Sequence, residues 1–251
     1  VKSVAQVDRT LSYWTTGGAP SMKAVDDKAA FLFIFSDPDS NDWAALEKIG
    51  REVQAKFDGK QGNFTVYASG AGVITHAINN KIKEDLFLAE AIAIPLTFIL
   101  LIFVFGAMVA SAMPLVVGVS AILGSLLIIY ILTLFTDVSV FALNLITGLG
   151  LGLGIDYALL IVNRFREELH AGKSVDESVV TTVATAGKTV FYSGLTVFVT
   201  MASLLLFPLN FLKSFGYAGV AVISLAVLGA LIPLPALLPI LGHKIDKGVI
   251  R

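Results

Sequence analysis

Downstream of Asp85 the sequence runs through five stretches almost devoid of charge, at 86–108, 114–134, 138–162, 189–206 and 215–241. Each is long enough, at about 1.5 Å per helical residue, to cross the roughly 30 Å hydrocarbon core of a bilayer. A chain with this pattern is expected to be a polytopic α-helical membrane protein with five transmembrane helices. Composition agrees: 56% of residues are apolar and only 15% charged, against about 25% charged in a soluble domain. The charge is also unevenly placed. Residues 1–85 hold ten Lys/Arg and eleven Asp/Glu, and the remaining 166 residues hold eight of each. A polar domain, 1–85, is therefore joined to a hydrophobic one, 86–243, with a short basic tail at 244–251.

The loops between the first three stretches are very short, so those helices must be antiparallel neighbours. The next connection, 163–188, is polar and reads as an amphipathic helical linker. Orientation follows from the basic residues. Arg164, Arg166, Lys173 and Lys188 lie in that linker, and Lys244, Lys247 and Arg251 follow the fifth stretch; the opposite loops carry only Lys213. The positive-inside rule places the linker and C-terminus in the cytoplasm and residues 1–85 outside, in a multi-pass protein of the cell membrane. Since no hydrophobic anchor precedes residues 1–85, a first transmembrane helix is expected upstream of Val1.

The polar domain reads as part of a small α/β lobe. A short helix is expected over 1–15 from the spacing of Val4, Val7, Leu11 and Trp14. A strand follows at 29–35, then a helix over 41–57 capped by Asp39 or Ser40, then a strand at 63–68. Gly70 and Gly72 break that strand, and a helix from about Val73 leads into the membrane. The net charge of −1 gives no reason to expect nucleic-acid binding. The chain has no cysteine, which excludes thiol catalysis and thiolate metal sites. His76, His170 and His243 all lie outside the spans, so no metal or triad constellation forms in the membrane.

Two acids fall inside the spans, Glu90 and Asp156. An ionisable group in hydrocarbon costs a few kcal/mol or more, so it is neutralised, paired or turned to a watery cavity. Asp156 lies about 10 Å inside the cytoplasmic end of its span, with no Lys, Arg or His in any span to pair with it. An acid in such surroundings holds its proton more tightly than in water and can load and release it near neutrality. That suits a proton relay; the competing reading is a permanently protonated carboxyl acting as a hydrogen-bonded link. Tyr157 follows directly, about 100° further round the helix, so each is expected to bond across to another helix. Ser193, in the fourth span, is a candidate support. Glu90, about one turn inside the outer interface, can hydrate, snorkel or pair with Lys83.

Ahead of Asp156 runs Gly148-Leu-Gly-Leu-Gly-Leu-Gly154. Its pairs four apart, Gly148/Gly152 and Gly150/Gly154, make two small-xxx-small faces on which neighbouring backbones can approach closely. The run lies inside a span and lacks the Lys-Ser/Thr ending of a phosphate-binding loop. It is one residue too long for the Gly-x-Gly-Asp of intramembrane aspartyl proteases, and no second membrane aspartate completes a dyad. Arg164 and Arg166, in Arg-Phe-Arg-Glu-Glu-Leu169, either anchor the membrane edge or stiffen the cytoplasmic helix.

Gly148-Leu-Gly-Leu-Gly-Leu-Gly-Ile-Asp-Tyr157 with Asn163-Arg-Phe-Arg-Glu-Glu-Leu169 resembles the fourth-helix signature of the mycobacterial-membrane-protein-large (MmpL) family of RND transporters. Ala89-Glu90, Ile94-Pro-Leu96, Val104-Phe-Gly106, Thr185-Ala-Gly-Lys188, Phe207-Pro208 and Phe211-Leu212 add to the likeness, which covers about 65–243. The resemblance implies a secondary active transporter of proton-antiport type, not an enzyme. Its coupling ion is the proton, no other cofactor is needed, and it exports lipids or other amphiphiles to a mycobacterial-type envelope. The five spans would be helices two to six of a sterol-sensing-like half-bundle, and residues 1–85 part of the first extracytoplasmic porter lobe. Asp156 and Tyr157 fall on the family's proton-relay pair and Ser193 near a serine that supports it. The relay's partners, an Asp-Tyr on helix ten, would come from a C-terminal half, or a second copy would take its place. A non-transporting lipid- or sterol-binding module on the same bundle is the competing reading.

Overall fold

The computed structural model describes residues 7–36 and 43–248. Val4, the candidate caps Asp39 and Ser40, and Arg251 lie outside the described residues. The chain divides into two compact units, Val1–Asp85 and Leu86–Arg251.

In the first unit, strand β1 (Val7–Ser12) pairs antiparallel with β2 (Leu32–Ser36), Leu11 opposite Phe33 and Thr10 opposite Ile34. The helix expected over 1–15 is therefore corrected to a strand. The spacing of Val7 and Leu11 fits a helical face, but β-branched Val7 and Thr10 sit well on a pleated ladder. The neighbouring Phe-rich segment also supplies the partner that a lone strand lacks. At Ser12 a turn closes, with the hydroxyls of Thr15 and Thr16 donating to the Ser12 carbonyl at 3.1 and 2.9 Å. Helix α1 (Trp43–Phe57) turns Ile49 and Val53 inward against Val7, Ile34, Phe57 and Ala68. A hairpin of β3 (Gly59–Gln61) and β4 (Phe64–Val66) follows. Its turn needs Gly62, at φ +63°, a conformation that side chains disfavour.

Helix α2 (Ala71–Phe105) is a continuous 35-residue helix. At its start, Gly72 lies against Gly50 of α1 so closely that a Cβ on either would collide with backbone of the other helix. It stops at Gly106, in the left-handed region at φ +64°. In the second unit α3 (Met108–Leu132), α4 (Phe141–His170) and α7 (Asn210–Leu231) pack on one another. One core gathers Val117, Ala121, Ile155, Ile161, Phe165 and Ala226; a second gathers Ile122, Ile129, Ile146, Val222 and Ile223. Helix α6 (Lys188–Ser203) packs on α7, where Gly194 makes room for Val227.

The linker 163–188 is helical but broken. Helix α4 runs on to His170, Gly172 turns the chain at φ +88°, and α5 (Val175–Thr182) opens with a capping box between Ser174 and Glu177. A π-helical turn, Val183–Gly187, then joins α5 to α6. The fifth apolar stretch is two helices, α7 and α8 (Pro233–Leu241), separated at Ile232. A residue before proline is pushed away from helical angles, and Pro233 has no N–H to continue the ladder. A 3-10 turn, Gly242–Asp246, closes the described chain. Among the described residues, five helical segments are long and apolar enough to cross a membrane: Ala71–Phe105, Met108–Leu132, Phe141–His170, Val175–Leu206 and Asn210–Asp246.

Candidate functional site

The glycine run of α4 separates into two faces with different surroundings. Gly150 and Gly154 are buried. A Cβ at Gly154 would come within 2.6 Å of the Gly118 Cα on α3, and one at Gly150 would meet Ile122 and Val222. Here two backbones touch because neither carries a side chain at the crossing. Among the described residues, nothing lies within 4 Å of the same atom added at Gly148 or Gly152, and both are exposed. One small-residue face is used inside the bundle and the other is open.

Asp156 continues the open face. Asn144, Gly148, Gly152, Asp156, Leu160, Asn163 and Glu167 are all exposed, at the three- and four-residue intervals that keep one side of a helix. Tyr157 points the other way: it is 3% exposed within the core of α3, α4 and α7, and its hydroxyl has no hydrogen-bond partner among the described residues. The two neighbours thus serve opposite sides of α4. Ser193 is exposed on α6, in a stripe of exposed hydroxyls (Thr185, Thr189, Thr196, Thr200, Ser203) at the same helical spacing. Thr196, Thr200 and Ser203 donate back to carbonyls of their own helix, at 2.9, 2.9 and 2.7 Å. Glu90 is half-buried on α2, where the neighbouring lysine ion pair is Lys81 with Asp85 at 2.9 Å.

At the end of α4 carrying Arg164 and Arg166, charges are laced together. Arg164 pairs with Glu167 at 3.4 Å and with Glu168, and Lys173 closes on Glu168 from the turn after the helix. Glu168 is 6% exposed, so its charge is tolerated only because two cations reach it. Arg166 donates to Asp246 at 2.7 Å and lies over the Phe105 ring, and His170 reaches the other Asp246 oxygen at 3.0 Å. Arg166 ties the end of α4 to the Gly242–Asp246 turn, whereas Arg164 pairs along α4 itself. The arginines, and the four-residue spacing of Arg164 and Glu168, are legible in the sequence; the pairing of Arg166 and His170 with Asp246 is not, because only the fold brings those positions together. The capping box was legible as Ser174-Val-Asp-Glu177, and the hydroxyl stripe of α6 as Ser/Thr at three- and four-residue spacing.

A helical bundle with five membrane-length apolar segments, built around a glycine-rich helix that carries an acid on its open face, defines a multi-pass membrane protein. A sequence model of the MMPL family matches residues 2–248, and the chain belongs to that family. It is similar to a membrane protein of Streptomyces coelicolor, 45% identical over 186 residues (74% of this chain, 26% of that protein). The trehalose monomycolate exporter MmpL3 of Mycobacterium tuberculosis is 36% identical over 248 residues (98% and 26%). The mycolic acid-containing lipids exporter MmpL11 of Mycolicibacterium smegmatis is 33% identical over 201 residues (80% and 21%). The chain thus spans about a quarter of the length of the curated relatives it matches.

Proposed function

We propose that this chain is part of a proton-driven exporter of lipids or other amphiphiles, with Asp156 the group that carries the coupling proton. The observation that carries this reading is the open face of α4. A carboxyl in a largely apolar bundle follows the Gly148/Gly152 stripe, which fits a second helix coming into backbone contact beside the acid. Family membership supplies the rest: the relatives named as exporters handle trehalose monomycolate and mycolic acid-containing lipids. In this account a helix from the remainder of the transporter, or from a second copy, answers Asp156. Protonation changes that bond, and Ser193 on α6 supports it. Residues 1–85 lie outside the membrane, and the Arg164–Lys188 linker and the C-terminus lie in the cytoplasm, as the distribution of basic residues favours.

The test is Asp156→Asn in the full-length protein, with envelope lipids followed by metabolic labelling in cells that lack the native copy. Export is expected to fall to the level of the deletion strain while the variant still inserts and elutes as a folded species in detergent. Undiminished export removes Asp156 from the mechanism. Lipid binding that persists with proton-independent function favours the non-transporting lipid-binding module.

A further inference from the structure

One cavity of the membrane unit is not accounted for by the relay itself. Its volume is about 320 Å³, and its walls are Leu160, Asn163, Arg164 and Glu167 of α4, Thr185 and Ala186 of the π-helical turn, and Thr189 of α6. Three observations bear on what it does. First, its α4 wall is the downward continuation of the stripe that carries Asp156: Leu160, Asn163 and Glu167 follow at intervals of four, three and four residues, all exposed. Asn163 is therefore about 10 Å, and Glu167 about 16 Å, along the helix from the acid. Second, the facing wall begins the hydroxyl stripe of α6, so that Thr185 and Thr189 lead by four-residue steps to Ser193. Third, the wall opposite α4 is made by a π-helical turn, a distortion that recurs at functional sites; here it sets Thr185 and Ala186 on the cavity.

The charge pattern argues against an anion site. The one cation in the lining, Arg164, is held by Glu167 at 3.4 Å and by Glu168, and Glu167 itself is an acid on the wall. A wet path for protons suits it better: amide and hydroxyl groups that can order water, ending in an exchangeable carboxylate. We propose that this cavity is the cytoplasmic port through which protons pass between bulk water and Asp156, with Glu167 the exchanging group at its mouth and Asn163 and Thr189 lining the path. The step is proton transfer alone: Glu167 takes a proton from water and passes it inward along hydrogen-bonded water, or the reverse. Arg164 is a positioning residue that fixes the Glu167 carboxylate. The other charged groups on elements packed here are Lys173, paired with Glu168; Asp246, paired with Arg166 and His170; Glu177, bonded to Ser174; and Asp176, Lys188, His243 and Lys244.

The inference rests on the proton-coupled reading of Asp156, and the experiment separates the two. The full-length protein, freed of any cysteine, receives Asn163→Cys, Thr189→Cys or, as a control on an exposed apolar position, Leu123→Cys. Each is treated in vesicles with a membrane-impermeant thiosulfonate from the cytoplasmic side. In parallel, the Asp156 carboxyl is followed by infrared difference spectroscopy, its band assigned by its loss in Asp156→Asn. Its hydrogen–deuterium exchange is then timed in Glu167→Gln and Asn163→Leu. The port predicts labelling at 163 and 189 but not 123, and exchange slowed by about 10²-fold, the lower end of what a positioned proton-transfer group contributes. Glu167→Asp is expected to restore much of the rate, which a merely structural role would not. Unlabelled cysteines at 163 and 189, or exchange unchanged in both variants while Asp156 still titrates, overturn the port and leave the relay standing. A carboxyl at 156 that never changes protonation overturns the relay and the port with it.

Discussion

Asp156 and Tyr157 are adjacent in sequence and belong to different environments, one on the open face of α4 and one inside the core. That split is a consequence of helical rotation, and it separates what their substitutions do. Tyr157→Phe removes a hydroxyl that bonds nothing among the described residues, so the ring still fills its place. Thermal stability of the purified protein is expected to shift by less than about 1 kcal/mol. A larger loss would mean that the hydroxyl bonds a group elsewhere in the protein. Glu47 offers a pH test in the first unit. Burial tends to raise its pKa, but hydrogen bonds from Asn79 at 2.6 Å and with His76 at 3.2 Å outweigh it and hold the carboxyl below its ordinary 4.5. A depressed folded-state pKa stabilises above the unfolded value and is lost as pH falls through the folded one. The α1–α2 contact should therefore weaken below about pH 4.5, and Glu47→Gln should flatten that dependence, read as melting temperature against pH.

At the scale of elements, the two glycine faces of α4 predict an asymmetry. Gly154→Ala pushes a methyl into the α3 backbone at Gly118, and overpacking of this kind costs about 1–3 kcal/mol. Gly152→Ala meets nothing within 4 Å and gains helix propensity of about 1 kcal/mol. Melting of the purified protein should fall for the first and hold or rise for the second. If another helix docks on the open face, Gly152→Ala nonetheless lowers export. Equal destabilisation by both would contradict the division of faces. In the first unit Gly50→Ala collides with α2 at Gly72 and should cost a similar 1–3 kcal/mol. Element boundaries show where sequence patterns are ambiguous. The spacing of Val7 and Leu11 suits a helix or a strand in isolation, and only the presence of β2 decides for the strand. The apolar run through 215–241 is long enough for one span, yet Pro233 divides it at Ile232.

For the whole molecule, five membrane-length segments among the described residues and the MMPL match over 2–248 describe a chain that spans about a quarter of the length of the relatives it matches. Among the described residues, the stripe of α4 that carries Asp156 and the apolar side chains of α2 such as Phe87, Ile92, Leu96 and Phe103 are exposed. Orientation is testable on the same scale. Cysteines placed at Ser174 and Asn63 in the full-length protein should react with impermeant maleimide from opposite sides of the membrane, 174 from the cytoplasm and 63 from outside. Labelling of both from one side would reverse or break the topology argued from the basic residues.

Much was legible without a fold. Membrane insertion depends on the local hydropathy of each segment, so the spans could be read from composition and length. The acid within α4, the glycine run before it and the arginines after it are likewise contiguous in the chain. Which glycine pair meets α3, which side of the bundle Asp156 takes, and how Asp246 holds the end of α4 through Arg166 and His170 were decided by the tertiary structure. Each depends on neighbours supplied by distant parts of the chain, and a helix pattern repeating every 3.6 residues specifies faces without saying what will cover them.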